Sequence, residues 1–520
     1  MSRAAAAPGL AVLLLAAATL AACGASYEPA GGGGREEPRP LASLYDLMIA
    51  IADLSFPLLG AQGLVADVTV AIDPASLGAS GAFDAAVTVQ GVTVGGVPRG
   101  FRAASPLAAH GMASGGDWAL DSFGPIEIGS DAGGWTSVML SVTGILSPDG
   151  RTIAGAAVAT SSGETGTFHG VKQRRYLVAA TDFGVVGTVS VITVRYNTQF
   201  GVRRDLEAVS GDPVARVRDG SVFIVNRFFF DNIQTLDPEA SFRATLQFST
   251  GNGSNPHDVA VSDDGRLFIT RYEPPYNDLL IVSRTGAFEG FVDLSAWADN
   301  RSGTPRPDGL ARAGHLLFVG MQNIDDAFQD YGAGRVAVVD TRTSEVASVI
   351  VMEGRNPFGP PAIHPRTGRQ YWAAAGVFQG RLPGELSGGI EVIDPESLAS
   401  LGLLVDDDDL GGNVSSVALS ETPAGVAGFC IVTLPGGVNA LRRFHADTGA
   451  VAPGTLHSAT AFLTEVVADG DGYLLVPEHD PSRPRLLVFD AATGTLAGSL
   501  PLSLPPFSAA ILTRTVRGAP

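Results

Sequence analysis

The residue types best suited to chemistry occur together in the run Asn255-Pro256-His257-Asp258. A neighbouring imidazole and carboxylate could act as ligands for a bound group or as an acid–base pair. The same residues also suit a structural role, because Asn caps a turn, Pro fixes its backbone and Asp accepts hydrogen bonds from nearby amides. Of these two interpretations, the sequence favours the structural one.

Two other polar runs invite a metal-site interpretation. Glu478-His479-Asp480 offers carboxylate and imidazole ligands, which suit Ca²⁺ or a transition ion, but it is interpreted as a loop of solvated polar residues. Asp406–Asp409 is interpreted as an exposed acidic loop, because four consecutive side chains cannot all face one ion. No GxSxG, HExxH, Walker or dinucleotide-binding motif occurs in a suitable context, so the sequence shows no catalytic set.

These polar runs belong to a repeated unit. Its clearest copy, Asn255–Ser283, has the pattern of a strand, a tight Asp-Asp-Gly turn, a strand, a long loop and a strand. The copies align on the turn glycines Gly220, Gly265, Gly314, Gly368, Gly428 and Gly472. A period of roughly 45–60 residues with about four short strands in each copy is typical of a β-propeller.

The ends of the repeat region predict one more blade. Tyr176–Ala180 and Thr188–Val194 resemble second and third strands without an inner strand before them, and Ser508–Val516 resembles an inner strand without successors. Pairing these segments would close the ring and remove its open edges. We therefore predict an all-β chain with a seven-bladed propeller over 175–516, six and eight blades being the alternatives.

Residues 41–172 precede the repeats and are predicted to form a small antiparallel β-barrel or sandwich domain. Alternating apolar residues predict strands, for example over Val65–Ile72 and Ala85–Val94. The beginning of this domain differs, because several apolar residues of Leu41–Leu59 fall near one helical face and predict a helix there. Those residues are Leu44, Leu47, Met48, Ile51 and Leu54.

The loops that enter the inner strands of a propeller share one face with the loops that join the second and third strands. Polar residues gather in these two loop sets, so the mouth of the central channel on this face is the default binding site. The predicted mouth residues are Asn226, Arg227, Asn255, His257, Asp258, Arg271, Asp308, Gln322, Asn323, Asn413, Glu465, Glu478 and His479.

Composition narrows the classes of partner. The 520-residue chain has a formal net charge of −19, which argues against nucleic acid because that partner requires clustered Lys and Arg. Two cysteines, Cys23 and Cys430, cannot build a disulfide framework or a cysteine-rich metal site. Cys430 lies in an apolar strand and is expected to be buried.

The turn sequences VDTRTSEV, DPES and DAATG, with second strands of the IVN and FIT type, resemble those of YVTN-type propellers, close to the ones found in bacterial surface lipoproteins. The resemblance covers roughly Arg175 to Val516. It implies a rigid propeller whose mouth recognises a protein, peptide or glycan.

A second resemblance is to gluconolactonase-type propellers, which hold a divalent ion in the channel with Glu, Asn and Asp. It implies that Asp258, Asp308, Asn413 and Glu465 would supply the ligands here and that Ca²⁺ would be the ion. The loops that carry these residues do not match the motifs of that family. We therefore expect no evident cofactor, with Ca²⁺ as the one alternative. A quinone-dependent dehydrogenase is not supported, because the tryptophan-docking repeats of that class are missing.

The N-terminus resembles a bacterial lipoprotein signal. Leu10–Ala18 is apolar but too short for a mature membrane span, and it is followed by the lipobox-like Leu20-Ala21-Ala22-Cys23. The resemblance implies a signal peptide over 1–22 and lipidation of Cys23. Residues 23–40 are predicted to be a flexible tether. Gly24 rather than Asp after the cysteine favours the outer membrane, with the folded part periplasmic or surface-exposed.

Together these features predict a lipid-anchored binding or scaffold protein of the cell envelope, more readily a non-enzyme than an enzyme. Its membrane partner would be reached through the N-terminal lipid, and its ligand would be a protein, peptide or glycan. The alternative is a metal-dependent propeller hydrolase of the gluconolactonase type.

Overall fold

The computed structural model describes residues 44–72, 76, 81–114, 117–147, 152–195, 199–238, 240–377 and 385–512. These residues form two compact units, an N-terminal unit and one that contains Tyr176–Ile192 and Val202–Ile511. The predicted signal peptide, Cys23 and the tether to residue 40 lie outside the described residues. Within the described ranges, none of the helices has the length and hydropathy needed to cross a lipid bilayer.

The N-terminal unit is an antiparallel sheet that closes on itself. The described strands run in the order β2-β1-β10-β9-β8-β7-β6-β3, and β3 pairs back onto β2. Short pairings add β4 to β3 and β5 to β7, and a 3₁₀ turn at Pro57–Leu59 joins the first two strands. The strands are β1 (Leu44–Phe56), β2 (Ala61–Ile72), β3 (Ala82–Val94), β4 (Val97–Pro98), β5 (Phe101–Arg102), β6 (Leu107–Ser114), β7 (Asp117–Ser130), β8 (Gly134–Leu146), β9 (Thr152–Ala159) and β10 (Thr165–Lys172).

The helix predicted over Leu41–Leu59 is wrong, since Leu44–Phe56 is strand β1. Alternate residues such as Tyr45, Leu47 and Ile49 are buried in the core of the sheet, and Met48 between them is exposed. Because outward positions of this strand also carry apolar residues, the alternation of apolar and polar residues that is typical of a strand is not visible in the sequence. Pairing with β2 and β10 on both sides decides the conformation.

The second unit is a seven-bladed propeller, as the repeat pattern predicted, and each of its sheets is antiparallel. The first strands of the unit belong to the closing blade: β11 (Arg174–Ala180), β12 (Val186–Arg195) and β13 (Gln199–Ser210). Blade 1 has β14 (Pro213–Arg218), β15 (Ser221–Asn226), β16 (Asn232–Asp237) and β17 (Arg243–Ser249). Blade 2 has β18 (Pro256–Val261), β19 (Leu267–Arg271), β20 (Asp278–Val282) and β21 (Phe288–Asp293). Blade 3 has β22 (Pro307–Ala313), β23 (Leu316–Met321), β24 (Arg335–Asp340) and β25 (Glu345–Val351).

The remaining blades follow in chain order. Blade 4 has β26 (Ala362–Ile363), β27 (Gln370–Ala374), β28 (Gly389–Asp394) and β29 (Ala399–Asp406). Blade 5 has β30 (Asn413–Thr422), β31 (Gly425–Leu434), β32 (Val438–His445) and β33 (His457–Ala459). Blade 6 has β34 (Phe462–Leu463), β35 (Val467–Ala468), β36 (Tyr473–His479), β37 (Arg485–Asp490) and β38 (Leu496–Pro501), with both β34 and β35 paired to β36. The last strand is β39 (Pro506–Ile511).

The ring closes where its two ends meet. Strand β39 supplies the inner strand of the closing blade and pairs antiparallel with β11, from Tyr176 opposite Ile511 to Ala180 opposite Pro506. The sheet order β13-β12-β11-β39 is the one predicted from the unpaired segments. Strand β11 is therefore not left with an open inner edge.

Buried second strands and tight turns account for the regularity of the blades. Strand β19 is buried along its whole length, and the turn before it is held by Ser262, whose hydroxyl donates to Asp264 Oδ1 (2.5 Å). Gly265 takes a left-handed φ of 87° in this turn, which glycine adopts without steric cost. Cys430 is buried in β31 as expected, and burial raises the pKa of its thiol to about 12.

Short helical turns lie at Pro57–Leu59, Ser295–Trp297 and Asp407–Leu410. The last of these corrects the prediction of a fully exposed acidic loop over Asp406–Asp409. Asp406 caps the turn by accepting from Asp408 N (2.9 Å), and Asp407 is buried with Oδ2 accepting from Gly388 N (3.0 Å). Burial raises the pKa of Asp407 to about 7.

Candidate functional site

The mouth face is shaped by an irregularity that recurs where inner strands begin. In blades 2 and 3 the pairing register shifts between Pro256 and Val259 and between Pro307 and Leu310. Similar shifts occur at the starts of β30 and β39. Such β-bulges turn side chains away from the regular alternation of a strand. They therefore redirect the predicted mouth residues, including His257 and Asp308.

Five side chains at these strand starts form what we call the axial ring: Asp258, Asp308, Ser416, Glu465 and Ser508. Each accepts a hydrogen bond from a backbone N–H of the next blade. The bonds run from Leu310 N to Asp258 Oδ2 (3.0 Å), from Gly359 N to Asp308 Oδ2 (2.8 Å), from Val466 N to Ser416 Oγ (3.0 Å), from Ala509 N to Glu465 Oε1, and from Ala215 N to Ser508 Oγ (3.2 Å). Buried amides require such partners, so the axial ring joins neighbouring blades.

Asp258 is the most heavily engaged member of the axial ring. Its Oδ1 accepts from Arg216 Nε at 2.7 Å and from Val259 N at 2.8 Å. The Arg218 guanidinium lies 3.5 Å from the same oxygen. The ion pair with Arg216 is fully buried, and removal of one partner of such a pair leaves an uncompensated charge. Asp258 therefore ties blades 1, 2 and 3 together.

His257 belongs to a connected chain of polar side chains. Its Nδ1 lies 2.8 Å from Asp308 Oδ1, and Gln322 Nε2 donates to Asp308 Oδ2 at 2.6 Å. Tyr272 donates to Gln322 Oε1 at 2.7 Å and stacks on the His257 ring with centroids 4.0 Å apart. Burial lowers the pKa of His257, so the neutral imidazole is favoured. This arrangement clamps His257 between blades 2 and 3.

Arg227 and Glu465 flank the start of β39. The Arg227 guanidinium pairs with the carboxylate of Asp212 and lies 5.1 Å from the centre of the Phe507 ring. Burial raises the pKa of Glu465 to about 7. Nε and Nη1 of Arg227, Nε2 of His257 and Oε2 of Glu465 have no hydrogen-bond partner among the described residues. The axial ring is therefore sensitive to ionisation at Glu465.

The other predicted residues of blades 1 and 2 are likewise engaged. Arg271 forms a two-point pair with Asp278 (2.7 and 2.5 Å) and stacks on Tyr276 at 4.1 Å. Asn226 Oδ1 accepts from Ser210 N (2.9 Å), and Asn255 Oδ1 accepts from Phe228 N (3.0 Å). Arg227 and Arg271 are thus both in ion pairs, and each pair lies within one blade rather than across the mouth.

The remaining predicted residues also contact neighbouring loops. Asn323 Nδ2 donates to Ala333 O (2.8 Å), and Asn413 Nδ2 donates to Ala375 O (2.9 Å). Glu478 pairs with Arg485, and His479 Nε2 lies 2.9 Å from Thr181 O. The prediction that Glu478 and His479 are solvated is wrong, because both are buried.

All thirteen predicted mouth residues are buried, each at most 8 % exposed as a whole residue. The structure thus brings them to the strand starts and adjoining loops, but it turns them toward one another rather than toward solvent. Bulges that aim polar groups at the next blade also remove them from water. Whether any of them contacts a ligand stays a prediction.

Of the four ligands implied by the gluconolactonase resemblance, the two aspartates are occupied by protein donors, whereas Oδ1 of Asn413 and Oε2 of Glu465 have no hydrogen-bond partner among the described residues. Both oxygens of Asp258 and both of Asp308 accept hydrogen bonds, and Asn413 donates to backbone carbonyls. In the described part of the chain, no three His, Cys, Asp or Glu side chains form a group that could hold a metal ion.

Exposed apolar residues on the same face were missed by the sequence reasoning. We call two segments the mouth loops. The first is residues 181–186, which run from the end of β11 to the first residue of β12, and the second is residues 227–231, between β15 and β16. Val185 and Val186 project from the first loop, and Phe229 and Phe230 from the second, with Phe229 82 % exposed. Three consecutive phenylalanines between polar residues in a predicted loop could have indicated this exposed apolar surface.

Arg306 was missed as well, since it lies in a loop with no motif. It is buried, donates to Glu273 Oε2 (2.9 Å) and lies 4.9 Å and 4.1 Å from the ring centres of Tyr272 and Phe328. Blades 1, 2 and 3 thus each place an arginine near an aromatic ring on the mouth face.

Neither the family models nor the curated proteins yielded a match to this chain. Solved structures resemble it over the propeller. A protein of Bacteroides uniformis with a provisional 6-phosphogluconolactonase assignment is 13 % identical, covering 65 % of this chain and 99 % of its own, with a TM-score of 0.47. Hydrazine synthase of Kuenenia stuttgartiensis is 15 % identical, covering 58 % and 88 %, with a TM-score of 0.42. AztD of Citrobacter koseri is 13 % identical, covering 69 % and 94 %, with a TM-score of 0.34. At these values the likenesses carry no argument about activity.

Proposed function

We propose that this protein is a lipid-anchored binding protein of the cell envelope that holds a protein, peptide or glycan partner on the mouth face of its propeller. One observation carries the binding role: Phe229 is held almost fully in solvent above a densely cross-linked polar base. Exposed apolar groups on rigid loops are typical of interaction sites.

Anchoring rests on the lipobox-like sequence that ends in Cys23. Acyl chains on that cysteine would bind the membrane, each buried CH₂ contributing about 0.8 kcal/mol. The tether over 23–40 would then leave the folded units free of the lipid surface, with the outer membrane as the proposed location.

The metal-dependent hydrolase alternative is not favoured. A Ca²⁺ ion needs six to eight oxygen ligands, whereas the oxygens of Asp258 and Asp308 already accept from arginine, amide and imidazole groups. Recruiting them for an ion would open the contacts between blades. Calcium-dependent lactone hydrolysis by the folded chain, abolished by Asp308→Asn, would reverse this preference.

Two measurements test the proposal. The full chain, expressed in a Gram-negative host fed an alkyne-tagged fatty acid, should acquire the label at Cys23, and Cys23→Ala should remain unlabelled. The full chain in phosphatidylcholine nanodiscs should bind members of a peptide and glycan array through Phe229. Phe229→Ser should lose that binding, and Phe288→Ser, which changes a phenylalanine that is 68 % exposed on the outer strand β21, should keep it. An unlabelled Cys23 would refute the anchor, and an unaffected Phe229→Ser variant would refute the binding face.

A further inference from the structure

The mouth loops form one apolar surface contributed by two neighbouring blades. Val185 is 77 % exposed and Val186 53 %, and Phe229 is accompanied by the partly exposed Phe230. Four large apolar side chains on adjoining loops are unusual on a chain with an otherwise polar mouth, because such groups gain free energy when they leave water. This surface is separate from the buried axial ring.

Several contacts keep the two mouth loops side by side. A Cβ atom at Gly211 would lie 1.7 Å from the carbonyl oxygen of Gly184, so the two backbones touch there. Thr181 also donates to the Gly211 carbonyl (2.7 Å). Asp212, the next residue, pairs with Arg227 of the second loop. The loops are therefore fixed neighbours.

The second mouth loop is rigid and strained. Phe229 has a left-handed φ of 70°, a conformation that bulky residues rarely adopt. Asn255 Oδ1 accepts a hydrogen bond from Phe228 N. The Asp231 carboxylate accepts hydrogen bonds from Gly253 N (2.7 Å) and Asn255 N (2.8 Å). Such strain persists where surrounding contacts over-determine it and is concentrated at functional sites.

The first mouth loop has the same design. Phe183 has a φ of 62°, and its N–H donates to Thr181 Oγ1 (2.8 Å). Its ring packs against His479 and Phe507, with centroid distances of 4.5 Å and 5.5 Å. This anchors the loop from below and leaves the two valines outward. A preformed surface loses little conformational entropy on binding.

The charge at this surface indicates the sign of the charge that a partner would carry. Asp182 is the exposed ionisable group of the two mouth loops, since Asp231 is buried and Arg227 is buried against Asp212. On the loop between β36 and β37 of blade 6, the exposed Arg483 lies three residues after Asp480 and interacts electrostatically with its carboxylate. The exposed charge that the mouth loops themselves carry is therefore the negative charge of Asp182, which favours a cation over an anion.

We infer that the mouth loops bind a peptide segment of a protein partner in which apolar side chains are flanked by Lys or Arg. The apolar residues would cover Phe229, Phe230, Val185 and Val186, and a cationic side chain would approach Asp182. This deepens the proposed binding role and rests on it. An anionic lipid surface is disfavoured by the same charge.

Three fluorescein-labelled twelve-residue peptides test the inference by anisotropy, using the full chain in phosphatidylcholine nanodiscs with empty discs as the blank. The first alternates Leu and Phe with Lys, the second replaces Lys with Glu, and the third replaces Leu and Phe with Ser. The first should bind, and the other two should bind at least tenfold more weakly.

Variants then locate the binding surface. Phe229→Ser should weaken binding of the first peptide at least tenfold, Val185→Ser about threefold, and Phe229→Tyr and Phe288→Ser should leave it unchanged. Asp182→Asn should weaken binding two- to threefold and reduce its salt dependence. A melting curve for each variant separates lost binding from lost folding.

Other outcomes overturn the inference in distinguishable ways. Equal binding of the Glu peptide, or an unchanged Phe229→Ser variant, removes the basic-peptide assignment. Phe229-dependent binding of phosphatidylglycerol vesicles would assign a lipid surface instead, and Phe229-dependent dimerisation would assign a second copy. Phe229-dependent glycan binding would keep the proposed binding role while refuting a peptide ligand.

Discussion

The axial ring and the mouth loops share one face of the propeller and are built in opposite ways. In the axial ring, polar side chains such as Asp258 and Asp308 are buried and bonded to the next blade. In the mouth loops, apolar side chains such as Phe229 are held in solvent. Polar residues at the strand starts thus serve assembly, and the proposed recognition falls to the mouth loops. A list of polar residues at a propeller mouth is therefore a weak guide to its ligand.

The largest effect expected from this comparison is in the axial ring. Asp258→Ala should lower the free energy of unfolding of the propeller by about 3–5 kcal/mol, because Arg216 would remain buried without a counter-ion. Denaturant unfolding followed by tryptophan fluorescence would measure this loss. Asp263→Ala removes an exposed partner of Arg312 and should change stability by less than about 1 kcal/mol. Equal losses in the two variants would contradict a special role for the axial ring.

Glu465 gives the axial ring a pH dependence. Its folded pKa of about 7 lies above its ordinary value of 4.5, so its contribution to stability is complete below pH 4.5 and is lost as pH rises through 7. Glu465→Gln should therefore match the wild type near pH 4.5 and exceed it by up to about 3 kcal/mol above pH 8.

Melting temperatures of both proteins across this pH range would test the prediction. The matched control is Glu421→Gln, whose carboxylate is 53 % exposed and which should show no comparable divergence. A constant difference between Glu465→Gln and wild type at every pH would count against a buried, shifted carboxyl.

A smaller effect is expected at the seam between the closing blade and blade 1. Ser508→Ala leaves the buried amide of Ala215 without its acceptor, which should cost about 1–2 kcal/mol of stability. Ser482→Ala in an exposed loop should have almost no effect. Equal unfolding midpoints for wild type and Ser508→Ala would show that the seam does not depend on this bond.

The smallest effect has the opposite sign and lies in the mouth loops. Phe229→Gly should stabilise the propeller by about 0.5–1 kcal/mol, because glycine relieves the left-handed backbone. Phe288→Gly in strand β21 should instead destabilise it by a similar amount. Calorimetric melting of both variants would show the contrast, and destabilisation by Phe229→Gly would remove the argument from strain.

The architecture was accessible from sequence because local signals repeat. Turn glycines such as Gly265 and the incomplete units at Tyr176–Ala180 and Ser508–Val516 were sufficient to predict seven blades and their closure. The start of the N-terminal unit was not accessible, because Met48 and Ala50 are apolar at outward positions of β1 and imitate a helical face. There, pairing with β2 and β10 outweighs the local pattern.

The candidate site was predicted less well than the fold. Sequence placed residues such as His257 and Asp308 at strand entrances, but their burial depends on bulges and on the convergence of neighbouring blades. Neither is a property of a short sequence window. The exposure of Phe229 is the opposite case, because three consecutive apolar residues are normally assigned to a buried core and this one lies in solvent.

The pairing of β39 with β11 has a consequence for biogenesis. A chain emerging from a ribosome carries β11 with an unpaired edge until its last strand is synthesised, and unpaired edges associate with other chains. Truncated chains that end before Pro506 would therefore be prone to aggregation rather than being shorter functional proteins. Because the final strand lies at the C-terminal end of the propeller, we expect selection against premature termination. We also expect chaperones to shield the unpaired edge until β39 has formed.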